Sequence, residues 1–380
     1  MVASVAVLGG GLAGASAALR LAQAGIGVDL FERQAGPHHK VCGEFLSVEA
    51  QRDLHDLGFD PLRLGAVPIE RIRVVRGTKS VESRLPFTAL GISREVLDQA
   101  LLDAAARAGA HVHRGVKVVA MDAGGIDTGA GRFCPETVFL ATGKHDLRGA
   151  KRPEPGARGD EIGFKMHWRI TAEQDAELGS AIELVLLDGG YVGLQRVAAR
   201  VMNVCALVRR EGFGGSWNGL LTAIAREPHV ARRLDGASEM LRRPTSIAAL
   251  PYGYVHRPGD DRESLYRLGD QAALTAPLTG DGMAIALRSA ALAVACHRSG
   301  RGPLDYARIL RREVGGQVRR AMALHRLVGL PVLPLTLGLL RLHPSLLGRL
   351  AAATRLGRLD GARRIDRPGP PGAEAAFSDG

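Results

Sequence analysis

A strand, a glycine-rich turn, a helix and a second strand follow one another within the first 32 residues. Residues 4–8 are a short apolar run ending in glycines, 12–24 are rich in Ala and Leu and closed by Gly25, and 27–32 form the second strand. Inside this unit Gly9, Gly11 and Gly14 make a GxGxxG, and Glu32 ends the second strand 18 residues after the last glycine. Each residue type has a physical reason in a dinucleotide site. The first glycine permits a tight turn, the second lets backbone approach a pyrophosphate, and the third lets helix and strand pack closely. The carboxylate accepts hydrogen bonds from ribose hydroxyls. The chain therefore opens with a parallel α/β unit that binds a nucleotide, and this motif alone does not separate NAD from FAD.

Further along, 36–47 reads as an irregular loop and 48–57 as a helix, while 69–75 and 80–85 alternate like a hairpin. A helix over 93–109, with Ser93 as its N-cap, feeds strands at 111–113 and 117–121; 129–133 and 137–141 return toward the first sheet. The stretch 144–158, with Pro153 and Pro155, reads as a crossover. Four strands then follow without intervening helices, at 164–170, 181–187, 191–196 and 201–208. That pattern predicts an antiparallel sheet and a second domain. A strand at 264–269, a buried small-residue helix at 281–296 and a helix at 303–325 come next, and the Gly/Pro-rich residues 368–380 read as a disordered tail.

Composition narrows the partners. The 380 residues carry a net charge of +11, which would suggest nucleic acid, but only six of the 50 basic residues are Lys and no basic run is interleaved with aromatics. Between residues 301 and 364 there are 13 Arg against Asp305, Glu313 and Asp360, so nearly the whole excess sits there. This argues against a nucleic-acid partner and leaves open an anionic membrane surface or a lipid substrate. The uncharged run at 327–340 contains Pro331 and Pro334 and is too short and too broken to span a bilayer. It reads as packed core or as an apolar interfacial anchor. Cys42, Cys134, Cys205 and Cys296 are far apart with no CxxC pair, so no metal site is expected. The N-terminal run lacks a basic n-region, which points to a cytoplasmic, reducing compartment; peripheral membrane contact through the C-terminal region follows only on the anchor reading of 327–340.

A second signal separates the flavin from the nicotinamide. Gly269-Asp270 is followed by Ala276-Pro277-Leu278-Thr279-Gly280-Asp281-Gly282-Met283 at the start of the small-residue helix. With these residues the chain resembles FAD-dependent oxidoreductases of the aromatic-hydroxylase (group A flavin monooxygenase) and geranylgeranyl-reductase superfamily, built on the glutathione-reductase-type FAD fold. The resemblance implies that Asp270 binds the ribityl chain and that the Pro277–Gly282 loop lies along the isoalloxazine. A helix N-terminus placed there would stabilise negative charge on reduced flavin. Lys40-Val41-Cys42-Gly43-Glu44 resembles the Lys-x-Cys-Gly segment of the reductase branch, near the flavin. Arg94 matches an arginine on the FAD phosphates, and Val118 a strand residue whose backbone meets adenine; Arg33, beside Glu32, joins the cofactor set.

Two stretches depart from the pattern. Where the hydroxylases carry Ala-Asp-Gly before a Ser and an Arg, this chain has Ala141-Thr142-Gly143-Lys144-His145, which counts against NADPH-coupled hydroxylation of the usual kind. Where prenyl reductases carry Tyr-x-Trp-x-Phe-Pro and halogenases Trp-x-Trp-x-Ile-Pro, it has Gly190-Tyr191-Val192-Gly193-Leu194-Gln195. No second nucleotide fingerprint follows, since Gly212-Phe213-Gly214-Gly215 lacks the strand and acidic residue, so an NAD(P)H donor would bind transiently. No catalytic side chain is assigned; Cys42, His167 and Tyr191 are candidates, the last two with either face of a strand open to them.

The resulting expectation is an α/β protein. A three-layer Rossmann-like FAD-binding domain would be assembled from 1–150 and 255–300, with an antiparallel substrate sheet from 151–254 inserted and a C-terminal helical cap at 301–367. The expected chemistry is oxidation or hydroxylation of an apolar metabolite of lipid, prenyl or polyketide type. Prenyl double-bond reduction and a non-catalytic flavin-binding scaffold are the alternatives.

Overall fold

The computed structural model describes residues 4–152, 160–211, 216–259, 263–328 and 340–356. Pro153 and Pro155, the glycines of 212–215, residues 329–339 of the uncharged run and the 368–380 tail lie outside these.

Five parallel strands form the first sheet, in the order β18 (Leu265–Arg267), β10 (Thr137–Leu140), β1 (Val5–Leu8), β2 (Val28–Glu32) and β6 (His111–Arg114). β1 and β2 are buried along their whole length, as strands covered on both faces must be. Val5 and Val7 face a helical layer of α1 (Leu12–Gln23), α2 (Val48–His55), α3 (Arg94–Arg107), α7 (Gly282–Arg298) and α8 (Pro303–Val328). Ala6 and Leu8 face the other way, onto a small antiparallel sheet of β7 (Val118–Asp122), β8 (Gly125–Thr128) and β9 (Gly131–Phe133). The expected three layers are thus helices, parallel sheet and antiparallel sheet. α1 is Ala-rich because it packs against the sheet, α3 and α7 together, and only small side chains let a helix be covered on so many sides. Ser93 caps α3 as its sequence predicts, accepting from the Glu95 amide.

The second sheet has nine strands. Its order is β15 (Ser238–Glu239), β11 (Glu161–Arg169), β14 (Val201–Arg209), β13 (Gly190–Ala198), β12 (Ala181–Leu187), β4 (Val67–Arg76), β5 (Lys79–Gly91) and β3 (Phe45–Leu46), with β16 (Thr245–Ala248) also paired to β11. This corrects the expectation that residues 151–254 build the sheet alone, because 45–91 contribute three strands. The reason is an open edge. The β4–β5 hairpin leaves one side of β4 unpaired, and β12 fills it in parallel, the one parallel pairing of an otherwise antiparallel sheet.

Alternation along these strands separates the faces. Phe164, Met166, Val192, Leu194, Val204 and Ala206 form one core with α5 (Trp217–Ile224) and α6 (Pro228–Leu234), behind α4 (Ala172–Leu178) with its Thr171/Gln174 capping box. Their neighbours Lys165, His167, Tyr191, Gln195, Asn203 and Cys205 take the opposite face, toward the parallel-sheet half of the molecule. A two-stranded ribbon, β17 (Tyr254–Val255) with β19 (Ala273–Leu274), lies on the return path, and the last helix, α9 (Ser345–Ala353), packs on β5. Among the described residues no helix is long and apolar enough to cross a membrane.

Candidate active site

One cavity of about 1180 Å³ runs between the two sheets. Of the residues expected at a cofactor, Gly9, Gly11, Glu32, Arg33, Lys40, Cys42, Arg94, Val118, Gly269, Asp270, Pro277, Gly280, Gly282 and Met283 all line it. Gly14 stands behind it, where a Cβ would lie 1.9 Å from the Gly9 carbonyl oxygen. That is the close helix packing expected of the third glycine. Gly9 holds φ at +107°, a conformation that favours glycine.

The polar groups at the turn converge. Glu32 is buried; its Oε2 accepts from the Gly10 amide at 2.8 Å and its Oε1 from the Gln34 amide at 2.9 Å. The carboxylate therefore also fixes the turn, a role the sequence does not reveal, and keeps further lone pairs for hydroxyl donors. Arg94 grips Asp98 through Nε (2.8 Å) and Nη2 (2.9 Å), and Lys40 pairs with the same carboxylate at 3.1 Å. Burial alone would raise the Asp98 pKa, but Arg94 and Lys40 hold it below the usual range. Gly11 sits beneath both cations, with Lys40 Nζ 2.9 Å and Arg94 Nη2 3.7 Å from where its Cβ would be. Two positive charges over bare backbone amides are what a pyrophosphate requires. Glu32→Ala is expected to weaken FAD binding by about ten- to a hundredfold, on a loss of roughly 1.5–3 kcal/mol for a charge-assisted bond. Equilibrium dialysis of the apoprotein measures this, and an unchanged affinity would remove Glu32 from the site.

The second fingerprint also folds as a ligand loop. Gly280 takes φ +71° after a turn of 3₁₀-helix over Pro277–Thr279, and Gly282 opens α7 with nothing within 4 Å of its Cβ position. Helix α7 thus presents its N-terminus to the cavity.

Between the two fingerprints lies the 40–44 loop, fixed more firmly than its sequence suggests. Lys144 Nζ donates to the Val41 carbonyl, Asn203 Nδ2 to those of Cys42 and Gly43, and Gln195 Nε2 to that of Glu44. Glu44 itself is fully buried, with φ +60°. Its carboxylate takes Lys165 Nζ at 2.5 Å, His167 Nε2 at 2.6 Å and the Arg94 amide at 2.8 Å. Burial by itself would raise its pKa, yet Lys165 and His167 lower it. A non-glycine left-handed residue held by three donors is a strained position that its surroundings determine. Sequence spacing does not reveal Glu44, Lys144, Lys165, Gln195 and Asn203 as site residues, because they converge from two loops and three different strands.

His167 shares the cavity-side face of its strand but is spent on Glu44, while Cys42 and Tyr191 line the cavity. The Cys42 sulfur accepts from the Glu44 amide at 3.3 Å. Burial pushes the thiol of its neighbour Cys205 up to about 12. The Tyr191 hydroxyl is buried with no hydrogen-bond partner, and burial raises its pKa. Gln195 Oε1, Thr245 Oγ1 and Thr275 Oγ1, on other cavity-lining residues, are likewise unpartnered. His39, Glu44 and His167 bring three metal-competent atoms within 4.8 Å, but Lys165 already places a positive charge on Glu44, which suits an ion-pair cluster and not a cation.

Comparison with known proteins agrees with the cofactor. The family model of the FAD binding domain matches residues 2–130. The flavin-dependent halogenase armH1 of Armillaria mellea is 30% identical over 124 residues, which is 30% of this chain and 24% of that protein. The chain thus spans about a quarter of the length of that curated relative. Among solved structures, the flavin-dependent brominase Bmp2 is similar with a TM-score of 0.72 at 17% identity, over 92% of this chain and 93% of that one. The halogenase PltM gives 0.70 at 14%, over 84% and 74%. A flavoprotein/dehydrogenase from Cytophaga hutchinsonii gives 0.69 at 19%, over 84% and 85%. At these identities the structures establish the fold. Residues 2–130 thus match an FAD-binding domain, and halogenases stand among the similar proteins.

Proposed function

We propose that the chain is an FAD-dependent oxidoreductase of the monooxygenase type that oxidises an apolar small metabolite. The observation that carries this reading is the continuity of the cavity, which passes from the GxGxxG turn, along the Pro277–Gly282 loop, to the apolar side chains that β4, β5 and β12 of the second sheet turn toward it, Ile72, Leu184 and Leu186 among them. Gly9, Gly11, Glu32 and Arg94 would hold the nucleotide, and Asp270, Pro277 and Gly282 the flavin end. Bound there, reduced FAD supplies the electrons with which molecular oxygen is activated. The protein's part is to orient, to exclude water and to leave a dry wall against the reacting edge. Fixing the 40–44 loop through four carbonyls serves that purpose, since a site 1 Å too loose loses much of its rate. An NAD(P)H donor would bind transiently.

Hydroxylation is tested by reducing the purified holoprotein anaerobically, admitting oxygen with candidate substrates and following oxygen uptake against product. Halogenation is a second reading, favoured by the relatives armH1, PltM and Bmp2. It predicts products that appear only with chloride or bromide. Reoxidation without any product, together with a flavin that no nicotinamide or quinol donor reduces, would return the chain to a flavin-holding scaffold. Cys42→Ser is expected to keep FAD but alter turnover, because Cys42 lines the cavity while Asn203 still anchors its backbone carbonyl and a serine oxygen can replace the sulfur as acceptor for the Glu44 amide. Unchanged kinetics would make Cys42 a packing residue.

A further inference from the structure

The cavity is divided by polarity. Every lining side chain contributed by β4, β5 and β12 is apolar, Ile72, Leu184 and Leu186 among them, and α9 covers this part with Leu346, Leu347 and Leu350. The polar residues Gln195, Thr245 and Thr275 lie elsewhere on the lining, and Tyr191 stands at the boundary, clustered with Leu186 and Leu347. From β13 to β5 the sheet crosses three strand spacings, about 14 Å. We propose that this part is a separate subsite for a long unbranched hydrocarbon chain on an otherwise polar-headed substrate, with α9 as its roof and Arg355 as the residue that fixes the roof.

A wall of this length without a polar partner suits flexible methylenes, because a ring bearing a hydroxyl or carbonyl would bury that group unpaired. Tyr191 and Tyr252 both line the cavity and pack in this cluster, so two hydroxyl-bearing rings stand where chain and head join. The roof is seated closely, since a Cβ on Gly348 would lie 2.8 Å from the Arg84 carbonyl oxygen. Arg355 then ties it to the flavin loop. It donates to the Thr279 carbonyl, ion-pairs with Asp281 at 3.0 Å, and lies over the rings of Phe45 and Phe87 at 5.7 and 5.5 Å. Buried, Asp281 has its pKa pushed up to about 6 despite Arg355.

The inference rests on the flavin reading for the location of the head, and the experiment separates the two. A series of 4-n-alkylphenols from ethyl to dodecyl is titrated into the purified protein by calorimetry, with FAD content measured beforehand. Affinity is expected to rise by about fourfold per added methylene until the arm is full. Leu347→Trp should end that rise at a shorter chain while leaving the ethyl compound and the FAD content unchanged. Arg355→Met, which keeps the apolar stem, should weaken the longest phenols by tenfold or more and the ethyl compound little. Flat affinity along the series, or a Leu347→Trp effect equal on ethyl and dodecyl, overturns the chain subsite. Chain-length dependence in a protein that takes up no FAD would keep the subsite and overturn the flavin reading instead.

Discussion

Gly11→Val is expected to yield a folded protein that retains no FAD, whereas Gly14→Val is expected to lose both FAD and much of its stability. The difference comes from what each new side chain meets. At Gly11 the nearest atoms are the far ends of Lys40, Arg94 and Asp98, which can move aside, so the fold survives while the bulk occupies the approach to the pyrophosphate. At Gly14 a Cβ would lie 1.9 Å from the Gly9 carbonyl oxygen and 3.1 Å from the Ala141 Cβ, and neither can move without displacing α1 from β1. Overpacking of a rigid core costs roughly 1–3 kcal/mol, and an overlap of backbone lies at the upper end of that range or beyond. Gly36→Ala is the control, since nothing lies within 4 Å of that position. Flavin absorbance after gel filtration and urea unfolding report the two properties separately. A Gly11→Val protein that stays yellow would remove the turn from the cofactor site.

Much of this site could be read from the chain because it is local. The strand–turn–helix–strand unit and the Pro277–Gly282 loop each lie within a few dozen residues, and their glycines are dictated by backbone geometry, so spacing alone reveals them. The second sheet was only half legible. Period-two alternation marks β11 to β14 and the β4–β5 hairpin, but nothing in alternation says that β12 pairs with β4 across some 110 residues. The same limit hid the Glu44 cluster. Glu44, Lys165 and His167 are ordinary polar residues in sequence, and only the register that sets β11 beside β14 and under the 40–44 loop makes them partners. His167 illustrates it: alternation leaves its face open, and the structure spends it on Glu44.

Glu44→Gln tests that cluster and is expected to be strongly destabilising although it is isosteric. The substitution keeps the shape and removes the charge opposite Lys165, whose side chain is fully buried. Breaking a buried pair by removing one partner costs roughly 3–5 kcal/mol, because the remaining charge has no compensation. Adding Lys165→Met removes that charge and should recover most of the loss, so the double-mutant cycle gives a coupling of about 2 kcal/mol or more. If the double variant is no more stable than Glu44→Gln, the pair is not the origin of the effect. The pH dependence has a definite sign. Lys165 and His167 hold the folded Glu44 pKa below its unfolded value, despite burial. The pair's stability is therefore fully present above the unfolded carboxylate value of about 4.3 and is lost as pH falls through the folded value. Glu44→Gln should flatten this acid limb of the urea-unfolding midpoint measured against pH, while Cys42→Ser, which leaves all three donors to Glu44 in place, should keep it.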